Sequence, residues 1–254
     1  MLRTLPVPAC GFVPCVHLCW PVSFGLGHGR ELDDAPGVVG VSREDLPPLP
    51  DAVLTDLTAG RLDPRAWFRD ATRPFEIEIG CGKGTFLLGD ADANPGTNYL
   101  GIEWAREFYF YAADRVRRRG LTNVRMLHTD ATEFLKWRCP DSIARVIHLY
   151  YSDPWPKARH HKNRVMQDAF LAEVWRVLAP GGELRLVTDH ADLWAWYEMH
   201  IERCTTTNTP HRFERVPFTP PTWVDDDEVV GTNYERKTRA EGRPPNACVL
   251  RRMG

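Results

Sequence analysis

Two short segments hold residues whose types and spacing could do chemistry. Residues 78–84 read Glu-Ile-Gly-Cys-Gly-Lys-Gly, and residues 152–164 read Ser-Asp-Pro-Trp-Pro-Lys-Ala-Arg-His-His-Lys-Asn-Arg. In the first, Gly80, Gly82 and Gly84 let the backbone turn sharply and approach a ligand with no Cβ in the way. A dinucleotide fingerprint spaces its glycines GxGxxG and holds a pyrophosphate on a helix N-terminus. Here the spacing is GxGxG, and Glu78 stands two residues ahead of it, which suits a ligand with a cationic end. In the second, Pro154 and Pro156 stiffen a turn and preorganise Asp153. Lys157, Arg159, Lys162 and Arg164, with His160 and His161, then suit a phosphate backbone. A basic run is often only a solvated face, but this one directly follows an acid. Adjacent His160 and His161 point apart and lack a third ligand, so no metal site is read there.

The elements that must position these groups alternate. Phe75 to Ile79, Asn98 to Trp104, Asn123 to Thr129, Arg145 to Tyr151 and Glu183 to Thr188 read as strands. Helices are expected between them: Ala105 to Arg119 closed by Gly120, a segment through Trp137, Met166 to Leu178, and Ala191 to Cys204. Such alternation predicts an α/β domain with a mostly parallel sheet and helices on both faces. His211 to Phe218 and Ala247 to Arg252 read as two more strands at an antiparallel edge, seven in all, with a long polar loop between them. Ligands in such sheets bind beyond the carboxyl ends of the strands. Those ends carry Glu78, Glu103, Asp130, Asp153 and Asp189. One carboxylate at a strand-to-helix turn is often just a helix cap, but acids at all five ends mark a functional edge.

Glu103 follows the glycine loop by about twenty residues, where a carboxylate accepts from ribose hydroxyls. Asp130 is placed to meet an adenine amino group. With the glycine loop, these residues point to a Rossmann-like class I methyltransferase fold and to S-adenosyl-L-methionine, whose ammonium suits the acid and whose methionine arm needs the glycine backbone. A nicotinamide dehydrogenase is the competing reading.

The chain has 254 residues and 43% hydrophobic content, enough for one sizeable domain. A net charge of −2 means that a nucleic-acid binder must concentrate its basic residues locally. Seven cysteines, an odd number, argue against a secreted disulfide scaffold and for a reducing, cytoplasmic setting. Cys10, Cys15 and Cys19 do not match zinc spacing. Residues 1–50, rich in Pro and Gly, read as an extended or disordered arm, and 51–254 as the catalytic domain. Prolines interrupt the apolar start, which argues against a signal peptide or membrane span.

The motifs together resemble the bacterial tRNA (guanine-N7)-methyltransferase family. The string DPWPKARHHKNR looks like its hallmark. Glu78–Gly84 matches its E-I-G-x-G-x-G, Gly101–Glu103 its G-I-E, Asp130-Ala131 its D-A, Thr188-Asp189 its T-D, and Thr232–Glu235 its T-x-[YF]-E. Ser152 departs from the proline usual before the acid. The resemblance implies that Glu78, Glu103, Asp130 and Asp153 serve the cofactor, with Asp153 also the catalytic acid position. It implies that Lys157, Asp189, Thr232, Asn233, Tyr234 and Glu235 contact substrate, and that the target is guanine 46 in the variable loop of tRNA. Arg159, His160, Lys162 and Arg164 would follow the tRNA backbone. Trp155 suits either a stacking platform or a buried support of the turn. No membrane partner is expected, and a monomer or homodimer is. Two alternatives are another RNA methyltransferase of the same fold and a catalytically silent RNA-binding paralogue.

Overall fold

The computed structural model describes residues 31–33, 35, 37–206 and 209–254, so Cys10, Cys15 and Cys19 lie outside the described residues. The core is a sheet of eight strands: β1 (Gly40–Ser42), β2 (Phe75–Ile79), β3 (Asn98–Glu103), β4 (Val124–His128), β5 (Ala144–Tyr150), β6 (Leu178–Thr188), β7 (Phe213–Val216) and β8 (Asn246–Arg252). Their order across the sheet is β1-β4-β3-β2-β5-β6-β8-β7. The pairs from β1 to β6 are parallel, and β8 runs antiparallel to both β6 and β7. The order reverses beside β2, which puts the crevice of this sheet at the end of β2, between β3 and β5.

Helices α1 (Thr85–Ala93) and α2 (Arg106–Arg119) follow β2 and β3, while α3 (Ala131–Trp137), α4 (Asp168–Val177) and α5 (Ala191–Thr205) follow β4, β5 and β6. The two sets pack in separate apolar clusters. Phe134, Phe170, Val174 and Tyr197 of α3, α4 and α5 meet Ile77 and Ile147. Leu87, Leu88, Ala112 and Val116 of α1 and α2 meet Tyr99 and Met126. Each of the Leu, Val, Ile, Phe and Met side chains among these contributes about 1.5–3 kcal/mol when fully buried, so this burial, rather than helix propensity, holds the helices against the sheet. Gly101 in the middle of β3 lets α1 approach: a Cβ there would lie 2.5 Å from Leu87.

Two elements were not foreseen. Residues 40–42, inside the segment read as an arm, add β1 as an eighth strand beside β4. In the segment read as a long polar loop lies α6 (Asn233–Ala240), capped by Thr232, whose Oγ1 accepts from the Glu235 N–H at 3.0 Å. β1 is too short to show a period, and α6 is too charged to show an apolar stripe. No helix among the described residues is long and apolar enough to cross a membrane.

Candidate active site

At the carboxyl ends of β2 to β5 opens a cavity of about 790 Å³. The glycine loop forms its floor. Gly80, Gly82 and Gly84 all have left-handed φ (69°, 53° and 66°), so each needs glycine for its backbone alone. A Cβ at Gly80 or Gly82 would meet nothing within 4 Å, so the space above them is open to a ligand. Gly84 differs: it caps α1, and a Cβ there would strike Leu88 at 2.8 Å and Ala112 at 3.2 Å. It therefore serves helix packing rather than the cavity, a correction to the expected ligand contact.

Glu103 locks this loop from the end of β3. Its Oε2 accepts from the Gly82 N–H at 2.8 Å and its Oε1 from the Ala105 N–H at 2.7 Å. Burial pushes its carboxyl up, and these backbone N–H groups partly oppose the shift. Glu78 lies beneath the cavity, wholly buried, with Oε2 lacking any partner among the described residues. Burial first, then the nearby Asp90 and Glu103, push its carboxyl well above the usual range. Asp130 lines the cavity and also caps α3: Oδ1 takes the Thr132 N–H at 2.8 Å, the Thr132 hydroxyl at 2.6 Å and the Glu133 N–H at 3.3 Å. The capping role and the edge position thus coexist in one residue.

Asp153 is exposed and lines the opposite wall. The residues flanking its loop carry strain: Tyr151 has φ 51° and Trp155 has φ 42°. Each such non-glycine residue costs about 1–3 kcal/mol and persists only where its surroundings hold it. Part of that hold is a bond between Ser152 Oγ and Tyr197 Oη at 2.8 Å, so Ser152 pins the loop where a proline would have stiffened it. Trp155 is half-buried, lines the cavity and meets His160 edge-on, with ring centroids 5.8 Å apart.

The basic run divides. Lys157, Arg159 and Lys162 are exposed on a turn over Ala158–Asn163, and Lys162 faces the cavity. His160 is half-buried, and its Nε2 accepts from Arg159 Nε at 3.2 Å. Arg164 is buried: it donates to the Pro154 carbonyl at 2.9 Å, pairs with Asp192 and lies over the Trp196 ring at 5.2 Å. It therefore braces the loop and cannot present its charge to a phosphate, which corrects its expected role.

The tail also differs from expectation. Glu235 is fully buried, and its carboxylate gathers the N–H groups of Val229, Val230 and Gly231 at 2.6, 2.9 and 3.0 Å. Asp189 is buried and paired with Arg243. Thr232 is the α6 cap. Of the expected substrate contacts in the tail, only Asn233 and Tyr234 stay exposed, with the Tyr234 ring 5.0 Å from that of Tyr151. Several cavity residues escaped the sequence reading, Trp104 and Lys136 among them. Trp104, 62% exposed, could have been found as the neighbour of Glu103, and Lys136 as one helical turn beyond Thr132.

Glu76, Asp90 and His148 bring potential ligand atoms within 4.8 Å of one another. Their polar atoms are already engaged: His148 with Glu76 and Tyr150, and Asp90 with Tyr99 and Trp223. The group is a buried hydrogen-bond network. It holds Glu76 below the usual carboxylate range: burial alone would raise it, but bonds from His148 and Arg145 outweigh that.

Over residues 72–247 the chain matches the family described as "Putative methyltransferase". It is 38% identical over 203 residues to the tRNA (guanine-N(7)-)-methyltransferase of Nitrobacter hamburgensis, covering 80% of this chain and 76% of that protein. With the enzyme of that name from Rhodopseudomonas palustris it shares 36% over 184 residues, 71% of this chain and 70% of the other. A solved structure of the aminoglycoside resistance methyltransferase NpmB1 aligns with a TM-score of 0.47 and 17% identity, covering 81% of this chain and 95% of that one.

Proposed function

This chain belongs to the tRNA (guanine-N(7)-)-methyltransferase family, and from that premise we propose that it methylates the variable-loop guanine of tRNA, position 46, at the mouth of the cavity beside Asp153. It uses S-adenosyl-L-methionine to methylate N7 of a guanine in tRNA. The residues present fit that cofactor: two open left-handed glycines, the loop-locking Glu103, and the orphaned carboxyl oxygen of Glu78 below them. In this reading Glu78, Gly80, Gly82, Glu103, Asp130 and Asp153 form the cofactor pocket. The sheet from β1 at Gly40 to β8 at Arg252 and its helices act as one domain, monomeric or homodimeric, in the cytoplasm where tRNA is modified.

Bound S-adenosyl-L-methionine supplies an electrophilic methyl group on a sulfonium. Guanine N7 has a free lone pair and carries no proton, so the chain needs no general base. Its task is alignment and charge management. Glu103 orients the ribose hydroxyls while fixing Gly82. Asp153, on a loop held in strained geometry, accepts from the N1–H and N2–H₂ edge of guanine and favours the positive charge that passes to the ring. A base in folded RNA must leave its stack to be held this way. Half-buried Trp155 and exposed Tyr234 offer rings beside the mouth, and Asn233 a polar contact. Lys157, Arg159, His160 and Lys162 carry the phosphate backbone. Asp189, Glu235 and Arg164 hold internal partners, and so shape the site through the segments they brace. The observation that carries this reading is Asp153 standing free in the cavity, opposite the carboxylate that locks the glycine loop.

The test is methyl transfer from labelled S-adenosylmethionine to unmodified tRNA, with nucleoside analysis. 7-Methylguanosine is expected in tRNA bearing guanine 46. None is expected in a transcript with adenosine at that position, or with Asp153→Ala. Product in the altered transcript would overturn the position, and no methyl transfer to any tRNA would overturn the substrate.

A further inference from the structure

Helix α1 begins at the glycine loop and carries a glycine in its middle, Gly89. A mid-helix glycine costs about 1 kcal/mol relative to alanine, so it needs a reason. The reason is Trp223, which comes from the loop between β7 and α6, 133 positions from its partner on α1. A Cβ at Gly89 would lie 2.7 Å from the Trp223 ring. A Cβ at Gly231 would lie 2.9 Å from the same edge of the ring. The indole therefore sits in a slot that two glycines leave open, with the Phe86 ring 6.0 Å from it. Its Nε1–H donates to Asp90 Oδ1 at 2.7 Å, and Asp90 is itself held by the Tyr99 hydroxyl on Oδ2 at 2.8 Å.

What this anchors is the start of α6. From Gly231 the chain enters Thr232 and then Asn233 and Tyr234. The Glu235 carboxylate ties the backbone of Val229 to Gly231 into one unit. We infer that Trp223, bonded to Asp90, is a positioning residue that docks the segment Asn233–Tyr234 at the cavity mouth for tRNA. This rests on the proposal that the segment contacts tRNA. The hook spans the two halves of the site: one end is on the helix that carries the glycine loop, the other on the loop that presents Tyr234 to Tyr151. Losing it should therefore weaken tRNA capture while leaving the cofactor pocket intact.

The experiment uses Trp223→Phe, which removes the N–H and the outer edge of the indole that fills the slot, together with Asp90→Ala, Asp90→Asn and Tyr234→Ala in the full chain. Amide hydrogen exchange over residues 229–240, KM for tRNA, kcat, and the Kd for S-adenosylmethionine are measured. Trp223→Phe should speed exchange across that segment by about tenfold, the loss of one bond to a charged acceptor. It should raise KM for tRNA several-fold, with kcat and cofactor Kd within about twofold. Asp90→Asn, whose amide oxygen still accepts the indole N–H, should recover most of what Asp90→Ala loses. Adding Asp90→Ala to Trp223→Phe should speed exchange no further. Unchanged exchange in Trp223→Phe overturns the hook, even if Tyr234→Ala raises KM. Unchanged KM in Tyr234→Ala overturns the tRNA-contact reading of the segment, whatever the exchange shows. Faster exchange in Trp223→Phe with an unaltered KM overturns the positioning role.

Discussion

On the wall made by β2, β3 and β4, acids face the cavity from strand ends and hold its loops at the same time. Glu103 grips Gly82 and Ala105, and Asp130 caps α3 while lining the space. At the end of β6 and in the tail, which do not line that cavity, acids of the same type turn inward. Glu235 collects three backbone N–H groups, and Asp189 pairs with Arg243. The difference follows from what each region is built on. A parallel sheet satisfies its own backbone and leaves strand-end carboxylates to spare. In the loop before α6 three backbone N–H groups lack a strand partner, and Glu235 satisfies them, whereas Asp189 at the end of β6 is claimed by the Arg243 side chain. The basic run repeats the contrast within a single turn: Arg159 and Lys162 look outward, and Arg164 looks inward.

The comparison can be broken most directly at Asp153. Asp153→Asn should lower kcat by about 10²–10³-fold with tRNA binding retained, as for loss of one preorganised charge partner. Full turnover in a single-turnover assay would end the charge argument. Next in size is Arg164→Leu, which should destabilise the fold by about 2 kcal/mol through a lost buried hydrogen bond and packing over Trp196. Thermal unfolding measures it, and an unchanged Tm would return Arg164 to the RNA-facing set.

Glu78→Gln tests the buried acid. Because the folded carboxyl is held well above its ordinary value, its stabilising contribution is full below about pH 4.3 and is lost as pH rises through the folded value. Glutamine carries no proton to lose. Without cofactor, the Tm of the variant should therefore gain on that of the native chain as pH rises above about 4.3. Parallel pH profiles would contradict this. The smallest effect is expected for Arg159→Ala: an unchanged Tm, with the slope of log affinity against log salt for tRNA reduced by about 1. An unaltered slope would remove Arg159 from the RNA surface.

The cofactor side was legible because its signals are local. Glycine spacing, an acid at a strand end and Gly120 closing α2 with φ 65° each depend on neighbours within a few residues. The tail was not, although Thr232-x-x-Glu235 is a local cap signal that could have disclosed α6. Its acids take partners that no spacing reveals.

The amino-acid sequence by itself determined the alternation of strands and helices, the glycine loop, and which carboxylates stand at strand ends, since periodicity and backbone preference are properties of short segments. Tertiary structure alone decided which charges remain free. Arg164 meets Asp192 and Trp196 across the fold, Asp189 meets Arg243, and Trp223 finds Asp90 in a slot between Gly89 and Gly231. The physical reason is that a charge is available to a ligand only if folding has not already desolvated and paired it, and that pairing is settled by residues distant in sequence.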